Sequence, residues 1–405
     1  MSAAYQRRFR CRREWPASHQ RLLILIRMPA TKGGLEDVVA ANSAICDIIG
    51  PQGKLTYRGI DIHELARQSS FEETTYLLWF GNLPTRQALQ DFTAALARQR
   101  RLPEPVLTLM KDFPREATPM DALRTTLSAL AFYDPQAHDN GRDANIAKAM
   151  RVTAQTATVV AAWEQLRRGR APVEPDTAGS HAENFLRMLF GAEPDRLSAR
   201  AMDLALILHA DHELNASTFA ARVTAATLAD IYSAIVSAIG ALAGPLHGGA
   251  NEQVIKMLQK IGEPARVESY ISERLEAHQK IPGFGHRVYR TEDPRATHLR
   301  EMSRQLGEHT GNLRWYELSR KVEEVVMEKK HLYANVDFYS ASCYFTMGIP
   351  IDMFTPVFAV SRVSGWTAHI LEQYADNRLI RPRAEYVGDK DVPYVPVERR
   401  ELAAS

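Results

Sequence analysis

Two histidines three residues apart, His209 and His212, end a predicted apolar helix over residues 201–212. Side chains at this spacing share one helix face and could bind a metal ion. No HExxH motif accompanies them, and no third ligand is obvious nearby. A core histidine with satisfied hydrogen bonds is therefore the alternative interpretation, and the residues themselves leave both open.

Another histidine, His247, lies in the glycine-rich segment 244–251, just before a predicted helix with Val254, Leu258 and Ile261 on its core face. The N-terminus of a helix disfavours positive charge, so an imidazole at this place stays neutral. A neutral imidazole still donates one hydrogen bond, and neighbouring glycines leave room for a ligand. These features favour a functional histidine over an incidental one in a turn.

The segment 281–295 carries a histidine and several arginines behind two glycines. It contains His286, Arg290 and Arg295, and the glycines on either side of Phe284 are expected to expose backbone amides. Guanidinium groups bind carboxylates and phosphates through two parallel hydrogen bonds. The segment therefore predicts a site for an anionic ligand, and a solvated run of charges is the weaker alternative.

A single carboxylate, Asp337, stands between Val336 and Phe338. It is either a helix cap or a carboxylate held in an apolar pocket. In the second case, burial would raise the pKa of the carboxyl and make it a usable general base. Periodicity does not decide between the two interpretations.

The elements that must position these residues are predicted to be helical almost throughout. Apolar residues recur with helical spacing over residues 85–100, 120–132, 142–168, 201–212, 216–243 and 316–330. Short strands are predicted over residues 43–60, around a turn at residues 50–53. Because no second alternating strand pattern follows, we expect an all-α protein with a short N-terminal β element and no parallel sheet.

Two breaks divide the helical region. Glycines and Pro245 interrupt it over residues 240–249, and Gly348-Ile349-Pro350 interrupts it again. The length of 405 residues already favours two domains over one. The stretch of about 250–348 between the breaks is the candidate for a second, smaller domain.

The composition is that of an ordinary globular protein, with 45% hydrophobic and 24% charged residues. This excludes the disordered and fibrous classes. Cys11, Cys46 and Cys343 are too few and too scattered for a disulfide framework or a cysteine-based zinc site, and they indicate a reducing compartment. The most apolar stretch, residues 231–246, is shorter than the roughly 20 residues that a membrane-spanning helix needs.

Residues 1–27 differ from the rest of the chain in charge. They contain seven arginines and one acidic residue, Glu14, so the remaining chain has a net charge of −4 and gives no reason to expect nucleic acid binding. The apolar run 22–26 is too short for a signal peptide, and two serines are few for a transit peptide. We therefore interpret the segment as a disordered extension, with Met28 as an equally good start.

Eight motifs in collinear order connect these segments to a known family. They are KLTYRGIDIHELA (54–66), PMDALRT (119–125), LHADHELNAST (208–218), GPLHGGANE (244–252), PGFGHRVYRTEDPRA (282–296), NVDFYSA (335–341), SRVSGWTAHILEQ (361–373) and RLIRPRAEY (378–386). From about residue 34 to the C-terminus, the chain resembles citrate synthase. It is similar to the short bacterial form, which lacks an extra N-terminal β domain.

The resemblance implies an almost entirely α-helical, citrate synthase-like fold of two domains. The large domain would comprise residues 34–249 and 349–405, the small domain 250–348, and residues 1–33 a basic extension. A homodimer with no metal and no cofactor is implied, so that His209 becomes a supporting residue of a buried helix. We expect no nucleic acid or membrane partner, and a cytoplasmic location, or the mitochondrial matrix if the extension is a transit peptide.

The implied reaction condenses an acyl-CoA with oxaloacetate and then hydrolyses the thioester. By motif, Asp337 would remove the α-proton of the acyl thioester and His247 would hydrogen-bond the enolate oxygen. His286 would bind oxaloacetate and polarise and protonate its carbonyl. These roles agree with the chemistry inferred from the residues: a base in an apolar pocket, a neutral donor at a helix N-terminus and a histidine among arginines.

The same motif matching implies which residues bind the substrates. His212, Arg295 and Arg362 would bind the carboxylates of oxaloacetate. Arg381, just before a proline, would reach the site of the partner subunit. Arg290 would contact a phosphate of CoA.

The motifs do not separate citrate synthase from 2-methylcitrate synthase, which uses propionyl-CoA. One methylene in an apolar pocket contributes only about 1–3 kcal/mol, so the two enzymes differ by degree. The forms VDFYS and SRVSGW favour acetyl-CoA. A non-catalytic relative that keeps the fold as a binding protein is the remaining alternative, but loss of a catalytic residue would be expected there and all three are retained.

Overall fold

The structure, a computed structural model, describes residues 34–35 and 38–400. The basic extension expected at residues 1–33, including the segment 1–27, lies outside the described residues. Ser43–Ser405 forms one compact unit, to which all the elements below belong. The division into two domains at residues 250 and 348 stays a prediction.

Helices dominate the described residues, and the predicted helical fold is confirmed. The strands are β1 (Cys46–Ile49), β2 (Lys54–Tyr57) and β3 (Ile60–Asp61). The helices are α1 (Ile62–Gln68), α2 (Phe71–Phe80), α3 (Arg86–Arg98), α4 (Glu104–Lys111), α5 (Pro119–Leu130), α6 (Arg142–Arg167), α7 (His181–Phe190), α8 (Arg196–His209), α9 (Ala216–Ala225), α10 (Ile231–Leu242), α11 (Ala250–Ile261), α12 (Val267–Glu276), α13 (Pro294–His309), α14 (Arg314–Lys330), α15 (Val336–Thr346) and α16 (Phe354–Ala375). Among these described helices, none is both long and apolar enough to cross a bilayer.

The small β-sheet braces the turn that follows α8. Its three strands are antiparallel, with Cys46 opposite Tyr57 and Ile49 opposite Lys54. The Tyr57 side chain is fully buried, and its hydroxyl donates to the carbonyl oxygen of Asp211 at 2.9 Å. The strands predicted over residues 43–60 are therefore confirmed. Tyr57, the last residue of β2, contacts the segment that carries His212.

The long helix α16 forms the centre of the core. It packs against α2, α6, α8, α9 and α10, and most of its residues are buried. At Gly365 an added Cβ would lie 2.2 Å from the carbonyl oxygen of Ala210 and 2.5 Å from Oδ1 of Asp211. The absence of a side chain at Gly365 therefore lets α16 approach the turn after α8 closely.

Short polar caps begin α13 and α15, which carry candidate site residues, and α9, which follows His212. Asn215 caps α9, Asp293 caps α13 and Asn335 caps α15, and each side chain accepts a backbone N–H from the first turn of its helix. Such caps satisfy amides that have no partner within the helix. The start of each helix is thereby set by one side chain.

The prediction of a single helix over residues 216–243 is wrong, because the helical region is interrupted between α9 and α10. Leu228 adopts a left-handed conformation with φ of 63°. Asp230 then caps α10 by accepting the backbone N–H of Ser233 at 2.9 Å. The break was not predicted from the sequence, because the alanines on both sides of Asp230 fit a continuous helix.

The helix predicted over residues 201–212 is also too long, because α8 ends at His209. The backbone N–H of Asp211 donates to the hydroxyl of Tyr57 at 3.2 Å and so leaves the helical pattern. His209 and His212 therefore do not share a helix face, which removes the geometric basis of the metal interpretation. Within the described residues, no three His, Cys, Asp or Glu side chains lie close enough together to hold a metal ion.

The helices from α11 to α15 pack mainly on one another. Contacts join α11 to α15, α12 to α14, and α13 to both α14 and α15. The main contacts of this group with the other α-helices are those of α13 with α8 and α1, and of α11 with α16. The predicted boundaries at 250 and 348 coincide with the ends of this group.

We predict that Gly365→Ala destabilises the protein by roughly 1–3 kcal/mol, because the new Cβ overpacks the turn after α8. The measurement is the melting temperature. Gly240→Ala is the matched control in the interior of α10, where an added Cβ meets no atom within 4 Å. Since glycine weakens a helix interior by roughly 0.5–1 kcal/mol relative to alanine, this variant should be as stable as wild type or more so. Equal melting temperatures for the two variants would contradict the prediction.

Candidate active site

One cleft collects six of the eight candidate residues. It has an empty volume of about 630 Å³ and lies among α11, α13, α15, α16 and the loops before them. The six residues in its lining are His212, His247, His286, Arg295, Asp337 and Arg362. Segments more than 100 residues apart in the chain therefore meet in one place.

His247 lies in the loop between α10 and α11. The backbone N–H of Ser217 donates to its Nε2 at 3.2 Å, so a neutral ring carries its proton on Nδ1. Burial lowers the pKa of His247 to about 4, and the Arg362 guanidinium adds to this effect. The ring is therefore a neutral Nδ1–H donor at pH 7.

The sequence suggested that the glycines beside His247 leave room for a ligand, but Gly248 is instead required by a close backbone contact. An added Cβ at Gly248 would lie 2.0 Å from the carbonyl oxygen of Leu242, at the end of α10. Gly248 therefore makes room for the backbone of its own chain, and the close approach fixes the position of His247.

His286 carries the opposite tautomer. Its Nδ1 accepts the backbone N–H groups of Val288 at 3.0 Å and Tyr289 at 3.1 Å, so the proton of a neutral ring is on Nε2. Burial lowers the pKa of His286 to about 4, and the Arg295 guanidinium lowers it further. Nε2–H is then the hydrogen-bond donor that this residue can offer in the cleft.

The amides around Phe284 are not free for an anion, contrary to the expectation from the sequence. The N–H of Phe284 donates to the carbonyl oxygen of Ile281 at 3.3 Å, and the N–H of Gly285 donates to that of Tyr333 at 3.0 Å. The Asn335 side chain donates to the carbonyl oxygen of Gly285 at 3.0 Å. The glycines therefore join the His286 loop to the start of α15.

Asp337 lies in the first turn of α15 and is not its cap. The cap is Asn335, whose Oδ1 accepts the N–H of Asp337 at 3.1 Å. Burial raises the pKa of the Asp337 carboxyl to about 6, against the lowering effect of Arg295. Of the two interpretations left open by the sequence, the structure therefore supports a half-buried, desolvated carboxylate that is ionised at neutral pH and can accept a proton.

A buried ion pair holds Arg295 in the cleft. Its Nε and Nη2 donate to Oδ1 and Oδ2 of Asp293 at 2.9 and 2.8 Å. Oδ2 of Asp293 also accepts the N–H of Val336 at 3.1 Å, one residue before Asp337. One carboxylate therefore aligns an arginine of the cleft with the helix that carries the candidate base.

Arg362 reaches the cleft from α16. Its Nε donates to the carbonyl oxygen of His209 at 2.6 Å, and its guanidinium lies over the ring of Phe358, 4.6 Å from the centroid. The side chain is almost fully buried, and burial lowers the pKa of Arg362 from its ordinary value. The nearby carbonyl and the aromatic face compensate part of the cost of burying this cation.

His212 lies beside His286 in the same cleft. The two ring centroids are 5.1 Å apart, and His212 Nε2 is 3.2 Å from the hydroxyl of Tyr289. Burial lowers the pKa of His212 well below its ordinary value, and Arg295 adds to this effect. His212 is therefore a neutral ring that can exchange hydrogen bonds with a polar ligand.

The two remaining candidates lie outside this cleft. Arg290 is exposed and lines a second cleft of about 540 Å³, which shares His286 with the first and includes residues 331–335. Arg381 is exposed in the irregular segment after α16 and does not line the cleft of its own chain. In the single chain, the structure therefore leaves the role of Arg381 untested.

Sequence reasoning missed the residues that hold the candidates in place. Ser217 Oγ lies 2.8 Å from both His247 Nε2 and Asn215 Oδ1, and it accepts from Trp366 Nε1 at 3.1 Å. Asp293 was missed as the partner of Arg295. A capping analysis could have found Asn215 and Asp293, since each short polar residue directly precedes a helix.

The cleft combines one proton acceptor with two neutral donors and two cations. A carboxylate with a raised pKa can take a proton from carbon, and hydrogen-bond donors in a dry site stabilise the oxyanion that results. Fixed guanidinium groups can bind the carboxylates of a second substrate. The arrangement can therefore form an enolate beside an electrophilic keto acid.

Comparison with known proteins supports the same chemistry. The family model described as "Citrate synthase, C-terminal domain" matches residues 34–383. "Citrate synthase 2" of Bacillus subtilis is 52% identical over 92% of this chain and 100% of its own length. "Citrate synthase" of Haloferax volcanii is 50% identical over 91% and 99%. A "2-methylcitrate synthase" of Shewanella oneidensis is 39% identical over 91% and 98%.

A solved structure gives the same likeness in three dimensions. It is the ternary complex of citrate synthase from Thermoplasma acidophilum with carboxymethyl coenzyme A and oxaloacetate. It superposes on this chain with a TM-score of 0.84, at 33% identity, over 90% of this chain and 98% of that one.

We predict that His247 and His286 are neutral at pH 6 and protonated on different nitrogens, because backbone amides occupy Nε2 of the first and Nδ1 of the second. The measurement is the ¹⁵N chemical shifts of the ring nitrogens in protein labelled at histidine. The signals of His138 and His331, which are both exposed, serve as the comparison in the same spectrum. Imidazolium signals for either residue at pH 6, or the same tautomer for both, would contradict the prediction.

Proposed function

The chain belongs to the citrate synthase family, and on that premise we propose how its residues catalyse the condensation of acetyl-CoA with oxaloacetate to citrate and CoA. The enzyme is an acyltransferase that forms a carbon–carbon bond and then hydrolyses a thioester. One observation carries the assignment of residues. A carboxylate with a raised pKa, two neutral histidines of opposite tautomer and two buried arginines line one cleft.

In the first proposed step, acetyl-CoA loses a proton from its methyl group to the carboxylate of Asp337. The pair of electrons moves to the thioester oxygen, where Nδ1–H of His247 donates a hydrogen bond to the enolate. The pKa of about 6 for Asp337 supports this role, since the carboxylate is ionised at pH 7 yet more basic than an ordinary aspartate. Neutral His247 supports the second role without placing a competing cation beside Arg362.

In the second proposed step, the enolate carbon attacks the keto carbon of oxaloacetate. Nε2–H of His286 donates to the keto oxygen and protonates the alkoxide that forms. Arg295, Arg362 and His212 bind the two carboxylates and orient this carbon towards the enolate. Water then cleaves the thioester of the condensed product, which releases citrate and CoA.

The second cleft is the proposed site for the CoA moiety. It opens beside His286 and carries Arg290 on its rim, where a phosphate could bind in water-exposed surroundings. Guanidinium groups suit phosphates because of their bidentate geometry. Binding here would direct the acyl end of the substrate to the first cleft.

Acetyl-CoA is the proposed acyl donor. The relatives named citrate synthase include those of 44–52% identity, whereas two relatives named 2-methylcitrate synthase match at 39% and 41%. Propionyl-CoA remains the second candidate, because one additional methylene changes binding by only about 1–3 kcal/mol.

A homodimer is the proposed assembly, with Arg381 acting on the partner's cleft. Residues 376–400 follow α16 without a further α-helix and expose apolar side chains such as Leu379, Tyr386 and Tyr394. Large exposed apolar groups on such a segment are typical of a contact with another chain. Arg381 lies within this segment and would add a third guanidinium to the oxaloacetate site.

The proposed location is the cytoplasm, with the mitochondrial matrix as the alternative if residues 1–27 direct import. Cys46 and Cys343 support a reducing compartment, since both are buried free thiols. We also propose that the two domains implied by the family resemblance close over the substrates, a motion that would bring the group α11–α15 towards the remaining helices.

We predict that the protein releases free thiol from acetyl-CoA plus oxaloacetate, and does so faster than from propionyl-CoA. Asp337→Ala should lose turnover by at least about 100-fold, because it removes the proposed general base. The measurement is the rate of thiol release, with the melting temperature as the test of folding. Asp91→Asn on the exposed face of α3 is the control and should retain wild-type turnover.

Three outcomes would count against this proposal. A folded Asp337→Ala variant with turnover within a few-fold of wild type would exclude Asp337 as the base. Faster thiol release from propionyl-CoA would reverse the substrate preference. A wild-type protein that folds and releases no thiol from either substrate would favour a non-catalytic relative.

We predict that Arg381→Ala and Asp337→Ala homodimers are both nearly inactive, yet mixed dimers regain up to half the activity of wild type. If Arg381 acts on the partner's cleft, one cleft of a mixed dimer collects both defects and the other has neither. The measurement is thiol release after subunit exchange, with mixed dimers counted by mass. Mixed dimers without activity, or an unchanged KM for oxaloacetate in Arg381→Ala, would contradict the role in the partner's site.

A further inference from the structure

We propose that His369 is a positioning residue for the oxaloacetate site, which acts by fastening Asp211 and thereby the turn that presents His212. The inference rests on the proposed function, because it concerns how one substrate is held. His369 is on α16, does not line the cleft and has no part in the steps described above. It would affect the reaction only through its neighbours.

His369 and Asp211 face each other in the core, and both side chains are fully buried. Nε2 of His369 lies 3.3 Å from Oδ1 and 3.4 Å from Oδ2 of Asp211. On the other side of the ring, Nδ1 lies 3.1 Å from Nη1 of Arg222. A guanidinium can only donate, so Nδ1 must be the acceptor and the proton of a neutral ring is on Nε2. His369 is therefore placed to accept from Arg222 and donate to Asp211.

Asp211 is an anion that depends on this imidazole. Burial alone would raise the pKa of its carboxyl, but His369 and Arg362 outweigh burial and hold the pKa below its usual value. Its Oδ2 also accepts the backbone N–H of Glu213 at 3.2 Å, whereas Oδ1 is buried without a hydrogen bond of good geometry among the described residues. Loss of the His369 donor would leave a buried carboxylate short of partners, which is strongly unfavourable.

The backbone around Asp211 is the part of the chain that sets His212. The hydroxyl of Tyr57 bonds both the N–H and the carbonyl oxygen of Asp211, and Glu213 adopts a left-handed φ of 54°. A left-handed conformation is unfavourable for glutamate and persists only where neighbouring contacts impose it. Tyr57 holds the backbone of this turn from one side, and His369 holds the side chain of Asp211 from the other.

Arg222 makes the arrangement rigid at its far end. It lies on α9 and also donates to Glu372 Oε2 at 2.6 Å and to Gln373 Oε1 at 3.0 Å. The side chains of Glu372, Arg222, His369 and Asp211 therefore form a row in which the imidazole lies between a cation and an anion. Because Nδ1 of His369 faces the guanidinium of Arg222, Nε2 is the nitrogen that can donate to Asp211.

A purely structural role for His369 is the competing explanation, and two isosteric variants separate it from positioning. In His369→Gln, the side-chain amide reaches the place of Nε2 and can still donate to Asp211, but the acceptor for Arg222 is lost. In His369→Asn, the amide reaches the place of Nδ1 and can still accept from Arg222, but the donor to Asp211 is lost. Both variants lose one hydrogen bond and both place an amide in the same core position.

The experiment measures the Kd of oxaloacetate by calorimetry, the KM of each substrate and the melting temperature. We expect His369→Asn to weaken oxaloacetate binding by about tenfold, because a hydrogen bond to a buried charge is lost beside His212. His369→Gln should bind oxaloacetate within about threefold of wild type. The KM for acetyl-CoA should stay unchanged in both. Similar losses of stability with different oxaloacetate affinities would identify positioning.

His181 supplies the matched control, since it is also fully buried and its ring nitrogens have no hydrogen-bond partner among the described residues. His181→Asn and His181→Gln should alter stability without altering the Kd of oxaloacetate. Equal Kd values for the two His369 variants, at whatever melting temperature, would overturn the inference. If His369→Asn does not fold, Asp211→Asn removes the same charged contact from the other side and must weaken oxaloacetate binding with an unchanged KM for acetyl-CoA.

The wild-type protein tests the proposed function, whereas the variants test the role given to His369 and Asp211. A wild type that binds oxaloacetate but releases no thiol contradicts the function and leaves the comparison of binding intact. A wild type that turns over normally, with an Asp211→Asn variant that binds oxaloacetate as tightly as wild type, contradicts only the role given to His369 and Asp211.

Discussion

The buried pair of Asp293 and Arg295 is the interaction on which the rest of the cleft depends. The carboxylate of Asp293 caps α13, binds the guanidinium of Arg295 through two oxygens and accepts the N–H of Val336 at the start of α15. A buried ion pair contributes little net stability, but loss of one partner leaves an uncompensated charge and is severely destabilising. The pair therefore acts as a positional constraint, which keeps a cation of the cleft in register with Asp337.

Burial inverts the usual order of acid strength within this cleft. The pKa of Asp337 is raised to about 6, while the pKa values of His247 and His286 are lowered to about 4. Desolvation disfavours whichever form is charged, so it shifts carboxyl and imidazole groups in opposite directions. At pH 7 the aspartate is ionised and both histidines are neutral, as enolate chemistry requires. Backbone amides then select the tautomer of each histidine, and Ser217 Oγ is a second neighbour of His247 Nε2.

The supporting residues form a second layer that is as buried as the cleft itself. Ser217 and Trp366 lie behind His247, Tyr57 and Asp211 behind His212, and His369 lies deeper still. These contacts come from α9, α16, the turn after α8 and the small sheet. Because most polar groups in this layer bond to one another, a change at one of them is expected to alter the cleft as well.

The sequence by itself determined the helical class, the position of the strands and the identity of the residues in the cleft. Helical spacing of apolar residues indicates which face of a segment is buried. The short motifs around His247, His286 and Asp337 indicate the catalytic chemistry, because each lies within one stretch of chain. The break between α9 and α10 could not be predicted, because the alanines there give no sign of where a helix ends. The end of α8 could not be predicted either, because it depends on the hydroxyl of Tyr57, about 150 residues away in the chain, which accepts the N–H of Asp211. Tautomers, shifted pKa values and the partners Asp293, Ser217 and His369 were decided only by the tertiary structure. Each depends on atoms that folding brings within about 3 Å from distant segments, and periodicity within one segment carries no information about them.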